Sequence, residues 1–136
     1  MMKKDTPKIK VKPSEAKPSF DPGIFKAYDI RGVYPSQLNE DAAYRIGRSF
    51  VTFLKCKEVV IGYDCRNSSD GLVKELIRGI TDQGANVVDV GTSSTPMLYF
   101  AAHNSEAAIM VTASHNPKEY NGFKLCKNNV IPISGD

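Results

Sequence analysis

No run of ~18 apolar residues, the length a membrane span requires, occurs in this 136-residue sequence. Its first residues also lack the apolar core of a secretory signal. With both absent, the chain is expected to be cytoplasmic, with no membrane partner. Cysteine is scarce: Cys56, Cys65 and Cys126 are odd in number, widely spaced and free of any C-x-x-C pair. That argues against a disulfide framework or a zinc site and for buried or inert thiols. Net charge is small at +3, and residues 1–20 alone carry six lysines against Asp5 and Glu15. The remainder is close to neutral, so no basic face for nucleic acid is implied.

Apolar residues make up 41% of the chain, ordinary for a globular protein and enough for one core. At this length one domain is expected, over residues 21–136. Residues 1–20, with Lys, Pro and Ser but few large apolar groups, read as a disordered basic leader.

From residue 58 onward, strand and helix patterns alternate. Asn39 can cap a helix from Glu40 to Leu54, with Ala43, Ile46, Phe50 and Leu54 on one stripe. Residues 58–63 read as a strand buried on both faces and 86–90 as a further strand. Residues 70–83 read as a helix capped by Ser68 or Ser69 and closed by Gly84. Pro96 opens a short helix running to about His103. The Gly/Ser/Thr loop at 91–96 lacks the G-x-x-x-x-G-K-[ST] spacing and reads as a plain connection. The expectation is a layered α/β/α domain with a mixed, mainly parallel four-stranded sheet, closed by a hairpin around Asn128 and Asn129.

The chemistry concentrates at residues 107–124. An apolar run at 107–111 delivers Thr112, Ala113, Ser114, His115, Asn116 and Pro117 to the carboxyl edge of the sheet, where open α/β folds bind ligands. Lys124 returns a positive charge after what reads as a tight turn at Asn121 and Gly122. Upstream, residues 24–30 read as an extended segment that Arg31 and Gly32 end. Arg31 is either a surface charge beside a turn or a guanidinium placed to approach an oxyanion. Asp64 and Arg66, in another strand-to-helix loop, could brace that loop as an ion pair or touch a ligand.

Three roles for Ser114 stand open. As a hydrolase nucleophile it would need a facing base, but His115 is its immediate neighbour and G-x-S-x-G is absent. As a phosphorylatable serine it would need positioning and charge neutralisation, which Lys124, Arg31 and His115 could supply. As a turn or helix cap it would carry no chemistry.

The motifs T-A-S-H-N-P at 112–117 and Y-N-G-F-K at 120–124 resemble the phosphoserine loop of the α-D-phosphohexomutases, the phosphomannomutase/phosphoglucomutase family. F-K-A-Y-D-I-R-G at 25–32, I-G-Y-D-C-R at 61–66 and P-I-S-G-D at 132–136 are similar to further signatures of its first domain, in the same order. This resemblance implies a reversible transfer of phosphate between C1 and C6 of a phosphorylated hexose, through a hexose 1,6-bisphosphate. Ser114 would carry the phosphate and, through it, one ligand position of Mg²⁺. His115 and Lys124 would assist proton transfer or charge stabilisation. Arg31 would orient the phosphoryl group, Asn116 would hold the loop, and Tyr28 would line the cleft. The family uses four domains, and only the first is matched. No D-x-D occurs to complete the metal site, which the resemblance assigns to the second domain. A fragment with little activity alone is therefore expected, needing domains II–IV of the same enzyme. The alternative is a standalone, non-catalytic module that binds phosphate or a partner protein.

Overall fold

Val59, Ile61, Ile109 and Val111 pack into one core, while Val60, Ala108 and Met110 face the opposite way into a second. An uninterrupted apolar run satisfies both of its faces only in the middle of a sheet covered on each side. The computed structural model, which describes residues 19–135, has that architecture. In chain order its elements are β1 (Ile30–Val33), α1 (Glu40–Leu54), β2 (Glu58–Tyr63), α2 (Ser69–Asp82), β3 (Asn86–Thr92), α3 (Thr95–Ala101), β4 (Ala108–Val111), β5 (Tyr120–Lys127) and β6 (Ile131–Pro132). The sheet order is β1-β5-β4-β2-β3, with β6 paired to the end of β5. Strands β3, β2 and β4 run parallel, and β5 lies antiparallel to β4, β1 and β6. Helices α1 and α2 fill the first core and α3 contributes Leu98 to the second. The layered, mixed sheet agrees with expectation. Its strands number six rather than four, because β1 and β6 both use β5 as an antiparallel partner.

Helix α1 begins where Asn39 accepts a hydrogen bond from the Ala42 N–H at 3.1 Å. Glu40 and Asp41 in its first turn complement the positive end of the helix dipole. Its buried stripe of Ala42, Ala43, Ile46 and Phe50 packs on the sheet and on α2. The two helices touch backbone to backbone. A Cβ on Gly79 would stand 2.1 Å from the Tyr44 carbonyl oxygen, and one on Gly47 would stand 2.6 Å from that of Leu76. Ser68 takes the N-cap position of α2, as the sequence suggests, but without the side-chain bond of a cap. Its hydroxyl and that of Ser69 are turned toward other partners.

Two local expectations are overturned. Asn121 and Gly122 form no turn but lie buried inside β5, opposite Gly32 and Arg31. A Cβ on Gly122 would meet the Ile30 carbonyl oxygen at 2.1 Å, so the glycine marks a close backbone approach within a sheet. The chain reverses earlier, where the Tyr120 N–H reaches the Pro117 carbonyl at 3.0 Å. Likewise Arg31 does not end a strand running from residue 24. Residues 22–24 form a 3₁₀ turn, and Arg31 sits within β1. Of the expected leader, only Ser19 and Phe20 fall among the described residues. Ser19 donates to Asp41 at 3.0 Å, and the Phe20 ring meets Phe25 edge-on.

Candidate active site

Because β2, β3 and β4 are parallel, their carboxyl ends share one edge of the sheet, and the loops that follow meet there. The Asp64 N–H donates to the Val111 carbonyl at 3.1 Å, and the Ser93 N–H to that of Tyr63 at 2.8 Å. Each loop is thereby started in register with its neighbour. The loop after β4 carries Ser114. Thr112 and Ala113 are buried, whereas Ser114 and His115 are exposed. Ser114 has φ 54°, in the left-handed region, and the Asn116 N–H closes the turn on the Ala113 carbonyl at 3.0 Å. A non-glycine residue in that region is uncommon and carries a conformational cost.

Asp64 and Arg66 hold this turn. The Arg66 guanidinium donates to the carbonyls of Pro117 at 2.7 Å, Asn116 at 2.9 Å, Ser114 at 3.0 Å and Tyr120 at 3.1 Å. A planar cation with five N–H groups can satisfy four converging carbonyls at once; a point charge on a flexible stem cannot match that geometry. Arg66 is itself oriented by an ion pair to Asp64, 3.2 Å from Nε to Oδ2. Asp64 also accepts from Thr112 Oγ1 at 2.8 Å and Ser69 Oγ at 3.1 Å. The Asn121 side-chain amide, fully buried, donates to Ser68 and Ser69 and joins the start of α2 to β5. Of the two readings open for Asp64 and Arg66, loop bracing is the one the hydrogen bonds support. The braced loop, however, is the one bearing Ser114.

The other candidate residues fall into two groups. Arg31 lies opposite Gly122 in the β1–β5 ladder, and Lys124 follows Gly122 by two residues along β5. Alternation then puts Arg31 and Lys124 on the same face of the sheet, with no side chain from Gly122 between them. Arg31 Nη1 is 3.5 Å from Asn116 Oδ1, a contact that joins this cationic face to the Ser114 loop. Arg31 also pairs with Asp29, and its buried Nε has no protein partner among the described residues. Tyr28 stands apart: it is 84% exposed and projects into solvent from the turn before β1.

Below the cationic face the polar groups are packed among apolar ones. Burial, together with the neighbouring Cys126, pushes the Tyr99 phenol up to about 12. Burial also raises the Cys126 and Cys56 thiols, whereas Cys65 is exposed beside Arg66. All three cysteines are free thiols. Among the described residues, no group of three or more His, Cys, Asp or Glu stands close enough to hold a metal ion. Asp64, the carboxylate that braces the loop, has both oxygens engaged by hydrogen bonds. These residues do not by themselves fit a Mg²⁺ site, which asks for near-octahedral oxygen ligands. No helix among the described residues is long and apolar enough to cross a membrane.

Residues 22–136 match the family model described as phosphoglucomutase/phosphomannomutase, alpha/beta/alpha domain I. The chain is 52% identical over 114 residues to a phosphomannomutase of Klebsiella pneumoniae, covering 82% of this chain and 73% of that protein. It is also 52% identical over 114 residues to a phosphomannomutase of Escherichia coli, covering 82% of this chain and 25% of that protein. The crystal structure of a phosphoglucomutase/phosphomannomutase family protein from Burkholderia thailandensis superposes with a TM-score of 0.79 at 41% identity. That match covers 86% of this chain and 28% of the other. The chain thus spans about a quarter of the length of the Escherichia coli relatives.

Proposed function

The chain belongs to the phosphoglucomutase/phosphomannomutase family, and on that premise we propose that it supplies the catalytic phosphoserine of a phosphohexomutase. The observation that carries this reading is Ser114 itself. It is exposed at the apex of a left-handed turn, anchored by Arg66 from within and approached by Arg31 through Asn116.

In the proposed reaction a hydroxyl of a hexose phosphate attacks the phosphorus on Ser114. The P–Oγ bond breaks, the hydroxyl proton leaves to a nearby base, and Oγ takes up a proton as it departs, leaving the free serine hydroxyl. The resulting 1,6-bisphosphate then presents its other phosphate to Oγ, and the same steps run in reverse. The net change is movement of phosphate between C1 and C6. Such chemistry depends on positioning and on neutralising charge at the phosphoryl oxygens. Arg31 and Lys124, on one face, are suited to the second task. His115, exposed beside Ser114, is suited to the proton. Asn116 holds Arg31 to the loop, and Tyr28, exposed and apart from it, would line the cleft only together with the further segments. A phosphate on Ser114 would offer oxygen to Mg²⁺, the remaining ligands coming from outside the described residues. The other active-site parts, including those that choose the sugar, are placed by this reading in the segments that the longer relatives carry beyond the matched quarter.

The test is phosphate incorporation. After incubation with glucose 1,6-bisphosphate and Mg²⁺, intact-mass measurement should show one added phosphate that Ser114→Ala abolishes. Equal incorporation in the Ser114→Ala chain would overturn the assignment. In a coupled assay the 136-residue chain should show no sustained mutase turnover. Rates in the ordinary enzyme range of ~1–10³ s⁻¹ would sink the view that further segments are needed.

A further inference from the structure

We propose that Thr112 is a positioning residue for Ser114, with Asp64 fixing the direction in which its hydroxyl is used. The inference rests on the reading of Ser114 as the phosphate carrier, but its geometry stands independently. Thr112 is 5% exposed, so water does not compete freely for its hydroxyl. A threonine hydroxyl has one proton and two acceptor sites. The Asp64 carboxylate has no proton to offer, and its Oδ2 accepts the hydrogen bond from that hydroxyl at 2.8 Å. Asp64 is kept in place by Arg66 Nε at 3.2 Å, the Arg66 N–H at 3.3 Å and Ser69 Oγ at 3.1 Å. The Thr112 oxygen is then left to accept, and what it accepts is the Ser114 N–H at 3.0 Å.

Two consequences follow. The relay pins the amide at the entry to the left-handed turn, offsetting the cost of a serine at φ 54°. It also occupies the Ser114 N–H, so that amide is not a donor for a phosphate on the same residue. Neutralisation of the phosphoryl group then falls to side chains such as Arg31, Lys124 and His115. Valine in place of Thr112 preserves the shape and removes both bonds, whereas serine preserves both bonds and removes only a methyl group.

Site-resolved amide hydrogen exchange tests this. In the wild-type chain the Ser114 amide should be protected even though the residue is exposed. Thr112→Val should speed its exchange about tenfold, and Thr112→Ser should leave it within a few-fold of wild type. The Val60 amide, bonded to the Ala107 carbonyl at 3.0 Å inside the sheet, should not change in either variant. A wild-type Ser114 amide exchanging as fast as an unprotected one would overturn the proposal. So would an unchanged rate in Thr112→Val, or equal acceleration of Ser114 and Val60. Should Thr112→Val fail to fold, protection of Ser114 in wild type and in Thr112→Ser decides the matter alone. Phosphate incorporation, measured separately, reports on the functional reading; its failure with the amide result intact would remove the phosphate role and leave the relay.

Discussion

The Arg66 guanidinium donates to the Ser114 carbonyl oxygen at 3.0 Å, joining residues 48 positions apart in sequence. Three further carbonyls depend on the same cation. Arg66→Ala should therefore destabilise the chain by roughly 1–3 kcal/mol, since four carbonyls, two of them in part-buried bonds, lose one charged donor together. Trypsin should cut after Lys118 faster than in wild type. Arg66→Lys should recover only part of the loss, because an ammonium cannot reproduce the fork. Urea unfolding and timed proteolysis measure both, and full rescue by lysine would show that charge alone suffices.

The left-handed Ser114 invites a paired substitution. Ser114→Gly removes the Cβ conflict at φ 54° and should raise stability above that of Ser114→Ala by about 1 kcal/mol. Glycine also loosens the unfolded chain, which trims the gain. Thermal unfolding of the two variants gives the sign directly. An alanine variant more stable than the glycine one would show that the turn is not strained.

Gly79→Ala places a methyl group against the Tyr44 carbonyl oxygen, where an ideal Cβ would lie at 2.1 Å. Backbone on both helices must then shift. The expected cost is about 1–3 kcal/mol, against the gain an alanine normally brings to a helix interior. A stabilised variant in denaturant unfolding would mean that α1 and α2 can separate without loss.

Alkaline pH should expose the burial of Tyr99. Its phenol is raised from 10.0 to about 12 in the fold, so the neutral form is the one the native state favours. The associated stability is fully present below the unfolded value of 10.0 and is lost as pH rises through about 12. Across that window wild type should lose stability relative to Tyr99→Phe, which has no proton to release. Parallel stability curves for the two would refute it.

Much of this architecture is legible in the residues, for identifiable reasons. The Asn39 cap and the Ala43, Ile46, Phe50 stripe announce α1, and runs buried on both faces announce β2 and β4. The reversal misread at Asn121 and Gly122 shows where local signals stop. Asn-Gly is a strong turn dipeptide, but here tertiary pairing needs an amide at 121 for two serines and an absent side chain at 122 for the Ile30 carbonyl. The role of Arg66 was hidden differently. Sequence shows the donor but not its acceptors, which are backbone carbonyls roughly fifty residues downstream and have no sequence signature. Ser68 holds the N-cap position of α2, but its hydroxyl and that of Ser69 are used to brace Asn121 and Asp64.

The position of β5 has a consequence for the order of assembly during synthesis. Strand β1 emerges early, yet its ladder partners are residues 120–123 of β5. Until β5 has been made, β1 has no strand of this sheet to pair with. Completion depends on non-local pairing across about ninety residues, the kind of contact that slows folding. Arg31 therefore meets the Ser114 loop only once β5 stands beside β1, so the cationic face depends on the last long strand to be made.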